Sequence, residues 1–401
     1  MSLFAAFNRA AFGLFQLLKG PAGSFCRWET ADDPLTLATD DGSLLSAFAV
    51  EGTLARADDE AASAAAVLAE KTRTLLDRPG RFVSAAFAYD PAGAAREIAR
   101  SFRPMHVTAQ ECSLALGGVL SDWERSLVER CGAESLIMTL WTTQALLPDL
   151  ERRRAGQAAR RAAAELGATF GRPPAGRQRE DAGLAALREA HQGGREVLAQ
   201  ALAAAGLSAE PVTARRLVRD VRLALDARLT PEHWRPLLPG DPRPLSLPEP
   251  GEAAGVSLFY PSLASQLFPS EATTVGGDLV KIGGRLHAPF VMSLPPRSPK
   301  PFSELFASLA RGGRRDPLRL TMNLAPDGFA GLTLKGALAR ILSFASPDNR
   351  RLAASLGELR RLADAGTAVV GFSLAFDTWL EVDDHPDLPA AARALRLQAG
   401  R

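Results

Sequence analysis

Cysteine, lysine and long apolar runs are all scarce in this 401-residue chain. The three cysteines, Cys26, Cys112 and Cys131, form no CxxC pair, and an odd number cannot all pair within one chain. A fully paired disulfide framework is excluded, and a reducing, cytoplasmic setting is expected. No run of about 18 uncharged apolar residues occurs, so no membrane-spanning helix is written here. Excess charge of one sign is missing too, since 47 basic residues face 45 acidic ones for a net charge of +2. No global field therefore calls for a nucleic acid or an acidic partner. Lysine supplies only Lys19, Lys71, Lys281, Lys300 and Lys335, so arginine carries most of the positive charge. Beside so much alanine, that bias reads as the mark of a GC-rich genome. What the chain does have is core material. At 46% hydrophobic and 23% charged it is not disordered overall, and its length suggests two or three domains.

Residues 1–18, MSLFAAFNRAAFGLFQLL, place Phe4, Phe7, Ala11, Leu14 and Leu18 at three- and four-residue steps, with Phe12 and Phe15 beside them. That spacing predicts an amphipathic helix within residues 1–28. A signal peptide fits poorly. Its only positive charge would be Arg9, no A-x-A cleavage site follows, and Phe25 before Cys26 spoils a lipoprotein site. Two readings stay open: a helix lying on a membrane or partner through Phe4, Phe7, Phe12 and Phe15, or one packed on its own domain.

Downstream, strand and helix patterns alternate. Strands are expected at 44–50, at 82–89 with Val83, Ala85, Phe87 and Tyr89 on one face, and at 135–141. Helices are expected at 57–77, from Pro91 to about Phe102, and from about Thr108 to Cys131 with a break at Gly117-Gly118. Residues 144–228 read as helical throughout, interrupted by the Gly- and Pro-rich loop FGRPPAGRQRED, which makes a helical hairpin insertion. A second strand-rich region follows, with a hairpin about Gly283-Gly284, an alternating strand at 318–324 and a long strand at 367–382. Helices are expected at 331–345 and 349–364, and from Ala390 a helical pattern runs to Gln398 and stops, as in a fragment. The expected class is α+β, with a first lobe at 29–143, the insertion at 144–229 and a second lobe at 230–401.

Tests for chemistry mostly fail. A phosphate-binding loop needs glycines, a Lys and a Ser/Thr. Gly171 and Gly176 are followed by Arg177-Gln178, and Gly331 and Gly336 by Ala337-Leu338. GFSLA at Gly371 to Ala375 is close to a nucleophile elbow, with Asp377 and His385 as conceivable partners, but Ser373 sits inside a continuous strand pattern. The five histidines, His106, His191, His233, His287 and His385, are isolated in sequence. Glu381, Asp383, Asp384 and Asp387 around His385 read as a solvated loop. No catalytic, metal or cofactor residue is therefore assigned.

Two features remain. Arg152, Arg153, Arg154, Arg160, Arg161, Arg172, Arg177 and Arg179 crowd the helical insertion, where they make either a solvated face or a contact for a partner or an acidic membrane. No aromatic ladder accompanies them, which counts against single-strand binding. TPEHWRPLLPGD begins like a capped helix and anchors Trp234, Arg235, Pro236, Pro239, Gly240 and Asp241 in a tight turn, read from physics alone as packing.

Seven blocks resemble, in family order, the N-terminal region of type IV secretion and conjugation ATPases of the VirB-type superfamily. They are DDGSLLSAFAVEG, SFRPMHVTAQECSLALGGVLSDWERSLVERC, SLIMTLWTT, LTPEHWRPLLPGD, YPSLASQLFPSEA, KIGGRLHAPFVMSL and LKGALARILSFASPDNRRLAASLGELRRLADAG. The sequence is most similar to the IcmB/DotO branch of Dot/Icm-like systems, with its conjugative relative TraU. The resemblance implies a cytoplasmic ATPase, peripheral at the inner membrane, that energises effector export or conjugative DNA transfer. It implies a homo-oligomer built on a ring of six, bound to inner-membrane secretion subunits. ATP and Mg²⁺ would sit in a RecA-like domain following this region. No Walker motif is present here, so no catalytic residue carries over. The expectation is a docking and assembly region, with a motor-less scaffold and a nucleic-acid module using the Arg-rich hairpin as alternatives.

Overall fold

A computed structural model of the chain describes residues 26–51, 58–77, 79–165, 178–179, 182–226, 229, 234–242, 260–268, 272–292, 316–326, 354, 357–358, 361, 370–382 and 387–399. Its first part runs β1 (Trp28–Asp33), β2 (Thr36–Thr39), β3 (Leu44–Glu51), α1 (Asp58–Thr72), β4 (Arg81–Asp90), α2 (Pro91–Glu111), α3 (Gly117–Arg130) and β5 (Ala133–Thr142). Next come α4 (Asp149–Glu165), α5 (Ala185–Ala204), β6 (Ser208–Val212), α6 (Ala214–Leu225) and α7 (Leu263–Leu267). Then follow β7 (Thr273–Val275), β8 (Leu279–Ile282), β9 (Arg285–Val291), β10 (Leu318–Pro326), β11 (Val370–Glu381) and α8 (Leu388–Ala399). The class is α+β, as the alternating patterns indicated. Phe4, Phe7, Phe12 and Phe15 lie outside the described residues, as does most of the helix pair expected at 331–364.

The two strand-rich regions are not separate sheets. All eleven strands join one antiparallel sheet in the order β1-β2-β3-β5-β4-β10-β11-β9-β8-β7, with β6 pairing β3 beyond the end of β2. The junction is β4 against β10, in register from Tyr89↔Leu318 to Val83↔Leu324. Left apart, each of these two strands would expose a row of unpaired backbone groups along its edge, and their pairing satisfies them.

Side-chain parity assigns each strand residue to a face. On one face, α5 and the turn that follows α1 cover β3, β5 and β4, where Phe48, Val83, Met138 and Leu140 meet Leu198, Leu202, Leu75 and Leu76. Leu187, His191, Gly194, Leu198 and Leu202 of α5 are buried at helical spacing. A Cβ at Gly194 would stand 3.0 Å from Leu140 Cδ2, so glycine lets the helix lie close on β5. Farther along the same face, α8 packs Ala391, Ala392 and Leu395 over Leu279, Leu286 and Ala288. On the opposite face, α6 and α7 cover Leu37, Leu45, Ala47 and Val212 with Leu217, Val218, Leu263 and Leu267.

Local readings differ from the structure at two places. The helix after Pro91 does not stop near Phe102 but runs through Pro104 to Glu111, and the chain turns at Ser113 with φ 53°. Gly117 opens the next helix rather than breaking one. Within the stretch read as helical, Ser208 to Val212 instead forms β6, because Glu51 to Ala47 of β3 offers it an open edge.

Candidate functional site

The WRPLLPGD turn is built around one carboxylate. Arg215 of α6 reaches both oxygens of Asp241, at 2.8 and 3.0 Å, while Arg235 Nη2 donates to Oδ1 at 3.0 Å. The Leu238 amide donates to Oδ2 at 2.9 Å, and Tyr260 Oη donates to the Asp241 carbonyl at 2.7 Å. The Arg215 hydrogen bond, against the opposing effect of burial, holds the Asp241 carboxyl below the usual carboxylate range. Gly240 occupies φ +92°, a region L side chains avoid, so the turn requires glycine there. Pro236 is buried, Pro239 is half-buried, and Trp234 packs beside the core under α6 and α7. These contacts make the block a fastening between α6 and the loop that follows it. Replacing Asp241 by Asn should lower stability by about 2 kcal/mol, the usual worth of a charge-assisted pair, read from urea unfolding at pH 7. A change below about 0.5 kcal/mol would show that the carboxylate is dispensable.

Arg152, Arg153 and Arg154 are exposed on α4, where Arg152 pairs with Asp149 one turn away. Arg160 and Arg161 fall within α4, but their side chains lie outside the described residues. Among the other sequence candidates, Ser373 sits mid-strand in β11 opposite Asn323. Asp377 pairs with His287, Glu381 with Arg96, and Asp387 caps α8 through the Ala390 amide. No group of three or more His, Cys, Asp or Glu among the described residues is placed to hold a metal ion.

Register assembles two polar constellations that no local pattern announced. The first is a buried pin beneath α5. Arg195 Nη1 donates to Thr36 Oγ1 at 3.4 Å, Thr36 donates on to Ser46 Oγ at 3.1 Å, and Ser46 gives its proton to the Leu35 carbonyl at 2.8 Å. Ser46 therefore accepts from His191 Nε2–H at 3.0 Å, which leaves Nδ1 to accept from Thr142 Oγ1 at 2.8 Å. A serine and histidine in contact suggest a hydrolase pair, but this serine's proton is committed elsewhere. Both side chains are at most 2% exposed, so no substrate reaches them.

The second lies on the opposite face of the sheet, where β4, β10, β11 and β9 adjoin. Glu381, Trp379 and Asp377 alternate along β11 and face Arg285 and His287 of β9 and Arg319 of β10. Arg285 Nη2 stands 3.3 Å from Glu381 and 3.6 Å from Asp90, while Nη1 donates to the Ala224 carbonyl at the end of α6. Arg96 joins Glu381 at 2.7 Å and Asp90 at 3.5 Å. Asp90 also caps α2 through the Gly93 amide, so the cluster fixes the root of the α2–α3 pair. The guanidinium carbons of Arg285 and Arg319 each lie 5.4 Å from the Trp379 ring centroid. These opposed charges neutralise one another and lock the joint.

The α2–α3 pair itself presents the largest set of exposed apolar side chains among the described residues. Met105, Val107, Leu114, Leu116, Val119, Trp123 and Val128 all face solvent, with Val119 at 65% and Trp123 at 56% exposure. No residue of α3 is buried; Trp123 meets Phe102 edge-on at a centroid distance of 5.4 Å. Sequence reasoning missed this surface, although Val119, Leu120, Trp123, Leu127 and Val128 form a stripe too wide for one narrow contact. No helix among the described residues is long and apolar enough to cross a membrane. The chain matches no family model and no curated protein.

Proposed function

We propose that this chain is the N-terminal docking and assembly region of a type IV secretion ATPase of the IcmB/DotO-like branch. In that role it seats the motor on an inner-membrane secretion complex and associates with further copies of itself. The exposed apolar surface of α2 and α3 carries the reading. Seven large apolar side chains left in water mark a surface meant for protein contact rather than for solvation. The order of the motif blocks supports the choice of family, and the anchoring of Asp90 and Arg96 supports a rigid presentation of the hairpin. By the resemblance, ATP and Mg²⁺ belong to a RecA-like domain that follows such a region.

The test uses Leu116→Asp with Val119→Asp. Both positions lie at the start of α3, where a carboxylate suits the helix dipole, so the fold should survive. Capture of the double variant by inner-membrane vesicles bearing the secretion complex should fall at least about tenfold, as hot-spot truncations do. Its thermal midpoint should stay within about 2 °C of the parent. Undiminished capture would refute the docking role of this surface.

A further inference from the structure

At the other end of β4 and β5 from the α2–α3 hairpin lies a cleft of about 390 Å³. It is lined by Trp28, Phe82, Trp141, Cys26, Asp41 and Ser43, among others. Phe82 and Trp141 are register partners on β4 and β5, and their rings stack at a centroid distance of 5.1 Å and 13°. The Trp141 indole N–H is taken by Thr139 Oγ1 at 3.2 Å, so this wall offers ring surface rather than a donor. Burial pushes the Cys26 thiol pKa up, which keeps it neutral. Inside, then, the cleft is aromatic and uncharged.

Its rim is acidic. Asp41 Oδ1 accepts from Thr39 Oγ1 at 2.6 Å and from the Ser43 amide at 3.0 Å, which fixes the carboxylate's direction. Burial works against ionisation there, but these hydrogen bonds and the Arg27 guanidinium together hold its pKa below the usual range. Arg27 spans the pair, reaching Asp40 Oδ1 at 2.9 Å and Asp41 Oδ2 at 2.7 Å, with more than half its side chain in solvent. Two carboxylates thus face one guanidinium. Among the described residues lining the cleft, Arg27 is the only cation. Below the rim, the buried Ser43 turns its hydroxyl toward the Asp41 carboxylate.

We infer that this cleft receives a cationic side chain of a partner protein, arginine by preference, with its stem against the aromatic walls and its charge at Asp40 and Asp41. Electron-rich ring faces attract cations, and the leftover negative charge at the rim repels carboxylates. Arg27 is the chain's own demonstration of what the carboxylate pair binds. Because exposed ion pairs are weak, an incoming guanidinium displaces it at little cost. The site is independent of the hairpin, so either can fail without the other.

Trp28 and Trp141 supply the readout. Titrating the full chain with N-acetyl-arginine methylamide should change tryptophan fluorescence saturably, with a dissociation constant on the order of 1 mM for so small a probe. The citrulline analogue, neutral and nearly isosteric, should bind at least about fivefold more weakly, and added salt should weaken arginine alone. Arg27→Gln should tighten arginine up to about fivefold by removing the internal competitor, and Asp40→Asn should weaken it by a similar factor. Arg27 is exposed and Asp40 half-exposed, and neither change adds bulk to the side chain, so neither threatens folding. Equal binding of citrulline and arginine overturns the inference. So does weaker binding by Arg27→Gln, or no saturable response up to about 20 mM probe.

Discussion

Arg285→Ala is expected to lower the unfolding free energy by about 3 kcal/mol at pH 7, at the lower end of what breaking a buried ion pair costs. The side chain is 2% exposed, and burial pushes its pKa down while Asp90 and Glu381 push it back up. Removing it empties a large volume, strips the Ala224 carbonyl of its donor and withdraws one of the two guanidiniums over Trp379. Arg96 stays in place to hold Glu381 and Asp90, and Glu381 is partly solvated. For that reason the loss should sit at the lower end of the usual range for broken buried pairs, about 3–5 kcal/mol. Arg285→Met, which fills the space without a charge, should cost clearly less. Urea unfolding of Arg285→Ala, Glu381→Gln and their double variant gives the charge coupling as a double-mutant cycle, and Arg285→Met sets the volume contribution apart. A loss below about 1 kcal/mol for Arg285→Ala would mean the cluster does not fasten the two halves of the sheet.

The same cluster shows where sequence reading reaches its limit. Val83, Ala85, Phe87 and Tyr89 alternate, and the turn at Gly283-Gly284 joins two apolar runs, so those strands are legible from local pattern alone. Asp90, Arg285 and Asp377 stand far apart in sequence, and only the successive pairing of β4 with β10, β10 with β11 and β11 with β9 brings them together. A faint signal did exist. Arg285 with His287, and Asp377 with Glu381, place charges on the same face of apolar strands, where a solvated face or a paired network must follow. Deciding between those needs the register. His191 and Ser46 likewise look like an isolated histidine and a strand serine until α5 lies across β3.

The α2–α3 surface was hidden for the opposite reason. Its apolar residues are numerous enough to cover two sides of a helix, so periodicity cannot tell which side meets the domain and which is left for a partner. β6 was hidden by its shortness and by Pro211, a residue tolerated on an edge strand but rare in a central one. In each case the missing information is a long-range contact, while what was legible rests on neighbours within a turn or a strand.

Acid should weaken this fold specifically through His191, by about 3 kcal/mol between pH 6.5 and pH 4. Its pKa is lowered from 6.5 to about 4, chiefly by burial and then by the Arg195 charge, with Arg81 adding to the effect and Asp33 and Asp32 opposing it. Above pH 6.5 the imidazole is neutral whether the chain is folded or not, and the full stability is present. As the pH falls, the unfolded chain takes up a proton that the folded one refuses, and about 1.4 kcal/mol is lost per pH unit. The loss levels off near pH 4, where the folded state protonates too. Protonation there puts a hydrogen on Nδ1, turning the acceptor of the Thr142 hydroxyl into a second donor and forcing that hydroxyl to turn away. His191→Gln should be less stable at pH 7 but flatter in this window. Urea midpoints of both proteins at pH 7, 5.5 and 4.5 provide the measurement, because other carboxylates titrate alike in the two and cancel in the difference. If parent and variant lose stability in parallel, the buried pin beneath α5 does not sense acid.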